Sequence, residues 1–154
     1  MSFLYGWMLR LFDWRVPVVG NQDASQFYGR FNSFGLSVAA GLLLLVAIVC
    51  VLLYYFWWSN GSSKAFMYRY RIKWWFMWMM ISSLVASVVT PLVLKWVIFR
   101  SVPYNFNKAL LAVSVCNFLY AIPLFVLLSL VVVHIAHKQT NASCTPFVIS
   151  KIRK

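Results

Sequence analysis

The chain contains no glutamate, and its only two acidic residues, Asp13 and Asp23, both precede the first long apolar run. General acid–base catalysis ordinarily draws on carboxylates or histidines, and proton- or cation-coupled carriers ordinarily keep a carboxylate inside the membrane. No apolar segment here holds an acid, which argues against a coupled carrier. Histidine is nearly as scarce. His134 and His137 lie three apart and so share one helix face, and with Cys144 they are the nearest approach to a metal site. A zinc or copper centre needs three or four ligands with a supporting second shell, and nothing else supplies them. The two histidines and Lys138 are better read as a cap at a helix C-terminus, favoured there by the helix dipole. No metal and no cofactor are expected. The three cysteines include no CxxC pair; Cys50 and Cys116 fall within apolar runs, where cysteine behaves as a small hydrophobe. No disulfide framework follows. A Gly-rich phosphate loop, a nucleophile elbow and an HExxH motif are all missing, so the expectation is a protein that is not an enzyme.

What is abundant is hydrophobicity. Of 154 residues 63% are apolar and only 10% charged, against roughly one-quarter charged in soluble domains. Fourteen of the charges are Lys or Arg, giving a net +12. They are spread over an N-terminal arm, two loops and a tail, whereas a nucleic-acid groove gathers them on one face. Nucleic acid is therefore excluded as a partner, and the charge is assigned to anionic headgroups and topology control.

The most informative stretch runs from Tyr54 to Trp78, YYFWWSNGSSKAFMYRYRIKWWFMW. Two aromatic clusters bracket a short polar segment bearing Lys64, Arg69, Arg71 and Lys73. Trp and Tyr collect at headgroup depth because the ring prefers hydrocarbon while its polar atom needs a partner. The pattern describes two membrane helices leaving and re-entering one face, with Trp57, Trp58, Arg69, Arg71, Lys73, Trp74 and Trp75 as interface anchors. The expected fold is an all-α integral membrane protein with spans over 34–58, 74–96 and 109–136. The first span alone, 25 residues at about 1.5 Å each, reaches roughly 37 Å and exceeds a ~30 Å hydrocarbon core.

Around the spans, residues 2–14 place Phe3, Leu4, Trp7, Leu11 and Trp14 at helical spacing and predict an amphipathic helix. It is too short and too charged to cross a bilayer, so it lies in the headgroup plane or packs on a partner subunit. A cleavable signal peptide is not expected, because Arg10 and Asp13 interrupt the run. Residues 18–32 read as a polar connector, and 137–154 as a basic tail.

Within the spans, Ser37 and Gly41 form a small-xxx-small pair, and Ser83, Ser87 and Thr90 form a hydroxyl stripe supplemented by Ser82 and Ala86. In lipid such stripes mark helix–helix contact faces; a pore lining is the functional alternative. Asn117 and Tyr120, one turn apart, are placed to bond across to that stripe. Pro91 is tolerated near the end of its span, and Pro123 is expected to bend the third.

Three spans put Arg10, Arg15, Arg30, Arg100 and Lys108, with Lys95 if it snorkels that way, on one side. Lys64, Arg69, Arg71, Lys73, Lys138, Lys151, Arg153 and Lys154 share the other. Eight against five or six favours a cytoplasmic 59–73 loop and C-terminus, with the N-terminus outside. The sequons at Asn60 and Asn141 then fall on the cytoplasmic side and stay unmodified.

The function these features favour is a non-catalytic structural or assembly subunit of a larger membrane complex in a bacterial inner membrane. Secretion and conjugation machines contain subunits of this general architecture. Its partners would be anionic headgroups and other membrane subunits, a hetero-complex rather than a homo-oligomer. Alternatively, the size, span count and basic tail resemble phage holins, which implies a self-assembling, membrane-permeabilising protein. A third reading is a lipid or quinone enzyme using His134, His137 and Cys144.

Overall fold

The computed structural model describes residues 5–7, 22–58, 64–100 and 106–135. Among them every element is helical: Tyr5–Trp7 form a single α-helical turn, followed by α1 (Gln22–Arg30), α2 (Leu36–Leu52), α3 (Lys64–Val93) and α4 (Asn107–Ile135). π-helical segments at Phe31–Gly35 and Leu53–Trp58 make α1 and α2 one continuous rod, and Leu94–Ile98 extends α3. Three stretches are long and apolar enough to cross a membrane, Gln26–Trp57, Lys73–Ile98 and Asn107–Val132. The protein is a small, all-helical, multi-pass integral membrane protein.

Helix is what the medium requires. A backbone in hydrocarbon has no water to bond, so each segment must satisfy its own N–H and C=O groups. The hydroxyls inside the rods follow the same rule. Ser33 donates to Gly29 O at 2.9 Å, Ser37 to Ser33 O at 2.7 Å, Ser83 to Met79 O at 3.0 Å and Thr90 to Ala86 O at 2.8 Å.

The rods run up, down and up, each packed on the other two. One cluster of buried side chains unites Phe27, Phe31 and Leu36 with Leu94, Phe99, Phe106 and Val113. A second unites Val51, Tyr54 and Tyr55 with Trp75, Met79 and Phe125. The bundle thus has a phenylalanine end and a tyrosine–tryptophan end.

Two boundaries differ from those the sequence suggested. Helix begins at Gln22 within the expected connector, because Phe27 and Phe31, four apart, bury one face against Phe99 and Phe106. The six ring pairs of this quartet lie between 5.4 and 6.3 Å apart, distances at which aromatic pairs attract beyond their area burial. Gly35 permits this closeness, since a Cβ there would stand 3.2 Å from the Phe99 ring and 3.3 Å from that of Phe31. The second difference lies at Lys64. The expected loop 59–73 is helical from that residue onward, ten residues before Trp74. The run KAFMYRYRIK lacks Gly and Pro and favours helix once the span behind it has paid for nucleation. The basic residues of that loop therefore sit on a helical extension of the second span.

The second rod stops at Phe99, whose backbone turns to φ −111°, ψ 30° while its N–H bonds Leu94 O at 2.9 Å. At the near end Lys95 Nζ reaches Asn107 Oδ1 at 3.4 Å, which places this lysine with the Arg100–Lys108 side. Most of the predicted amphipathic helix, residues 2–14, and the tail 137–154 with His137, Cys144 and Asn141 lie outside the described residues, as does Asn60.

Candidate functional site

The largest concentration of directed chemistry among the described residues sits between the second and third spans. Its centre is Asn117, fully buried. Asn117 Nδ2 donates to Thr90 Oγ1 at 2.8 Å, and the Thr90 hydroxyl in turn donates to Ala86 O. Asn117 Oδ1 accepts from the hydroxyl of Tyr5 at 2.6 Å, across 112 residues of sequence. One turn along, Tyr120 Oη accepts from Trp7 Nε1 at 2.7 Å. The rings of Tyr5 and Tyr120 meet edge to face, 6.0 Å apart. The relay thus ties the N-terminal turn, the third span and the second span together.

A second bond has its origin in a proline. Pro91 has no N–H, so the carbonyl four residues earlier, that of Ser87, loses its helical partner. Ser114 of the third span supplies one, donating to Ser87 O at 2.7 Å. Ser87's own hydroxyl turns back to Leu84 O at 2.8 Å. A freed carbonyl re-satisfied from a neighbouring helix is how membrane helices accommodate proline.

All of these groups are neutral. The phenol of Tyr5 is an O–H donor to Asn117. Amides, hydroxyls and an uncharged phenol can hold helices in register and orient a polar group. They offer no general base.

Of the residues that the sequence singled out, Ser83, Ser87, Thr90 and Asn117 are buried, Ser87 and Thr90 bonding the third span, and Tyr120 is half-buried. Ser37 and Gly41 are placed elsewhere, exposed on the outward side of the first span. Their hydrogen-bonding neighbours extend the pattern: Gly29, Ser33, Ser37 and Gly41 recur every four residues, and all four are exposed. The anchors divide as well. Trp57 is 73% exposed, whereas Trp75 is 2% exposed and meets the Phe125 ring edge to face, centroids 5.5 Å apart. The side chains of Trp58, Arg69 and Arg71 lie outside the described residues. Lys73 is exposed and Trp74 half-buried. His134 is exposed in the last turn of α4, and among the described residues no three His, Cys, Asp or Glu side chains gather to hold a metal.

The chain matches no family model, no curated protein and no solved structure. What it can do must be argued from its own geometry.

Sequence reasoning missed Tyr5, Ser114 and the phenylalanine quartet. For Ser114 a signal was present. Pro91 leaves the carbonyl at position 87 in need of a donor, and a hydroxyl on the adjoining span is the natural source. Tyr5 gave no such sign, because its partner lies over a hundred positions away.

Proposed function

We propose that this protein is a non-catalytic structural subunit through which other membrane proteins assemble. The observation that carries the reading is the outward face of the first span. Gly29, Ser33, Ser37 and Gly41 make a shallow, exposed strip about 18 Å long. Ser33 and Ser37 turn their hydroxyls back to their own helix, so the strip presents small side chains without an unmet donor. Small residues at this spacing let helix backbones approach closely. The hydroxyl stripe of the second span is consumed inside the bundle, which leaves this face for a partner.

In this reading the partners are other membrane subunits together with anionic headgroups. The membrane is a bacterial inner membrane with the 59–73 segment and the C-terminus cytoplasmic. Lys95 pointing to the opposite side makes the balance of basic residues eight to six, still in favour of that orientation.

The test is affinity purification of tagged protein in mild detergent, with native mass and mass spectrometry, beside the variant Ser37→Leu, Gly41→Ile. Distinct proteins at fixed ratio, lost or reduced roughly tenfold in the variant, are the expected outcome. A large homo-oligomer without other proteins would replace this reading with a holin-like pore, and a lone monomer would overturn both.

A further inference from the structure

Tyr5 and Trp7 are gripped by the third span. Tyr5 is 1% exposed, and the two donors of this turn meet two acceptors, Asn117 and Tyr120, that stand three residues apart on one helix face. The depth of that meeting can be gauged along the neighbouring rods. Lys95 and Lys108 are exposed at the phenylalanine end and mark its polar boundary. Thr90 lies five residues inward of Lys95, and Asn117 nine inward of Lys108, about 8 and 14 Å along the helix axes. Half of a hydrocarbon core is about 15 Å. The Tyr5 hydroxyl is therefore well below the headgroups.

We infer that the helical turn Tyr5–Trp7 is a latch docked within the membrane and not at headgroup depth. It dips into the hydrocarbon layer and closes over the polar patch of Thr90, Asn117 and Tyr120, holding on by two donated hydrogen bonds. The edge-to-face contact with Tyr120 positions the Tyr5 ring so that its hydroxyl meets Asn117 Oδ1. Undocked, that amide oxygen would face hydrocarbon without a donor, so the closed latch is the ground state. Lying on the surface, the same turn would leave Asn117 Oδ1 without its Tyr5 donor and put its own residues at headgroup depth.

The two placements separate by depth. A nitroxide is attached at Gly6→Cys, where a Cβ meets nothing within 4 Å, in full-length protein carrying C50A, C116A and C144A. The protein is reconstituted in phosphatidylcholine–phosphatidylglycerol vesicles, and collision rates with oxygen and with a nickel chelate are compared. Labels at Val88 and Val97, both exposed and nine residues apart on the second span, serve as deep and shallow references. The latch predicts a Gly6 label near the Val88 value. Tyr5→Phe keeps the ring and deletes one donor, and Trp7→Phe deletes the other. Each is expected to lower the docked-to-undocked ratio about tenfold. The double variant should move the Gly6 label toward the Val97 value while the Val88 label stays where it was, showing the bundle intact. A Gly6 label that reads shallow in the parent protein would overturn the latch. So would a deep label that the double variant leaves in place.

Discussion

The two ends of the bundle are built from different aromatic residues and solve different problems. At one end four phenylalanines, Phe27, Phe31, Phe99 and Phe106, close on each other with no polar atom among them. The polar groups next to that end, Tyr5, Thr90, Ser87, Ser114 and Asn117, are joined by directed bonds between elements. At the other end the large amphipathic rings of Tyr54, Tyr55 and Trp75 pack around Phe125. There the hydroxyl of Ser129 is buried without a hydrogen-bond partner. Ser82, nearer the middle, lies beside the Cys50 thiol without meeting hydrogen-bond geometry. Bonds between elements distinguish the first half, and large packed rings distinguish the second. Bonds fix register; area tolerates exchange.

Three substitutions would sharpen or break that contrast. Asn117→Leu should be the costliest, because it removes the bonds to Tyr5 and Thr90 together and leaves a buried phenol without its acceptor. A loss of about 2 kcal/mol in a reversible unfolding measurement in bicelles is expected; a loss near zero would mean that packing alone holds the phenylalanine half. Ser114→Ala should cost about 1 kcal/mol by orphaning the Ser87 carbonyl. That cost should shrink in a Pro91→Ala background, where the residue at 91 regains the N–H that serves Ser87. A double-mutant cycle reads this directly, and equal costs in both backgrounds would refute the proline account. Ser129→Ala should be the mildest, neutral or stabilising by up to ~0.5 kcal/mol, since no bond is lost and a desolvated hydroxyl goes. A cost as large as that of Ser114→Ala would mean that the Ser129 hydroxyl is not a desolvated, unbonded group.

Much of the architecture was legible before any coordinates. Uncharged runs of more than twenty residues can cross a bilayer only as helices, and three such runs mark three spans. The hydroxyl spacing of Ser83, Ser87 and Thr90 marked the buried side of the second span, and Asn117 and Tyr120 stood out as polar groups in an apolar run. The strip at Ser37 and Gly41 was recognised only in part. Gly29 fell in the stretch read as connector and Ser33 just outside the expected span, because the burial of Phe27 and Phe31, which draws that stretch into helix, has no local signature. Likewise the helical run from Lys64 begins amid charges that by composition suggested a loop.

The sequence by itself determined the class of the protein, the number of its spans and which faces carry hydroxyls, because lipid leaves the backbone no choice and side-chain period is local. Only the tertiary structure decided who meets whom. That Tyr5 reaches Asn117, that Ser114 serves the carbonyl freed by Pro91, that Trp75 turns inward while Trp57 turns outward, and that the Gly29–Gly41 strip is left uncovered all depend on the relative rotation of three rods. Rotation is set by the sum of many weak packing contacts, and no short stretch of sequence contains that sum.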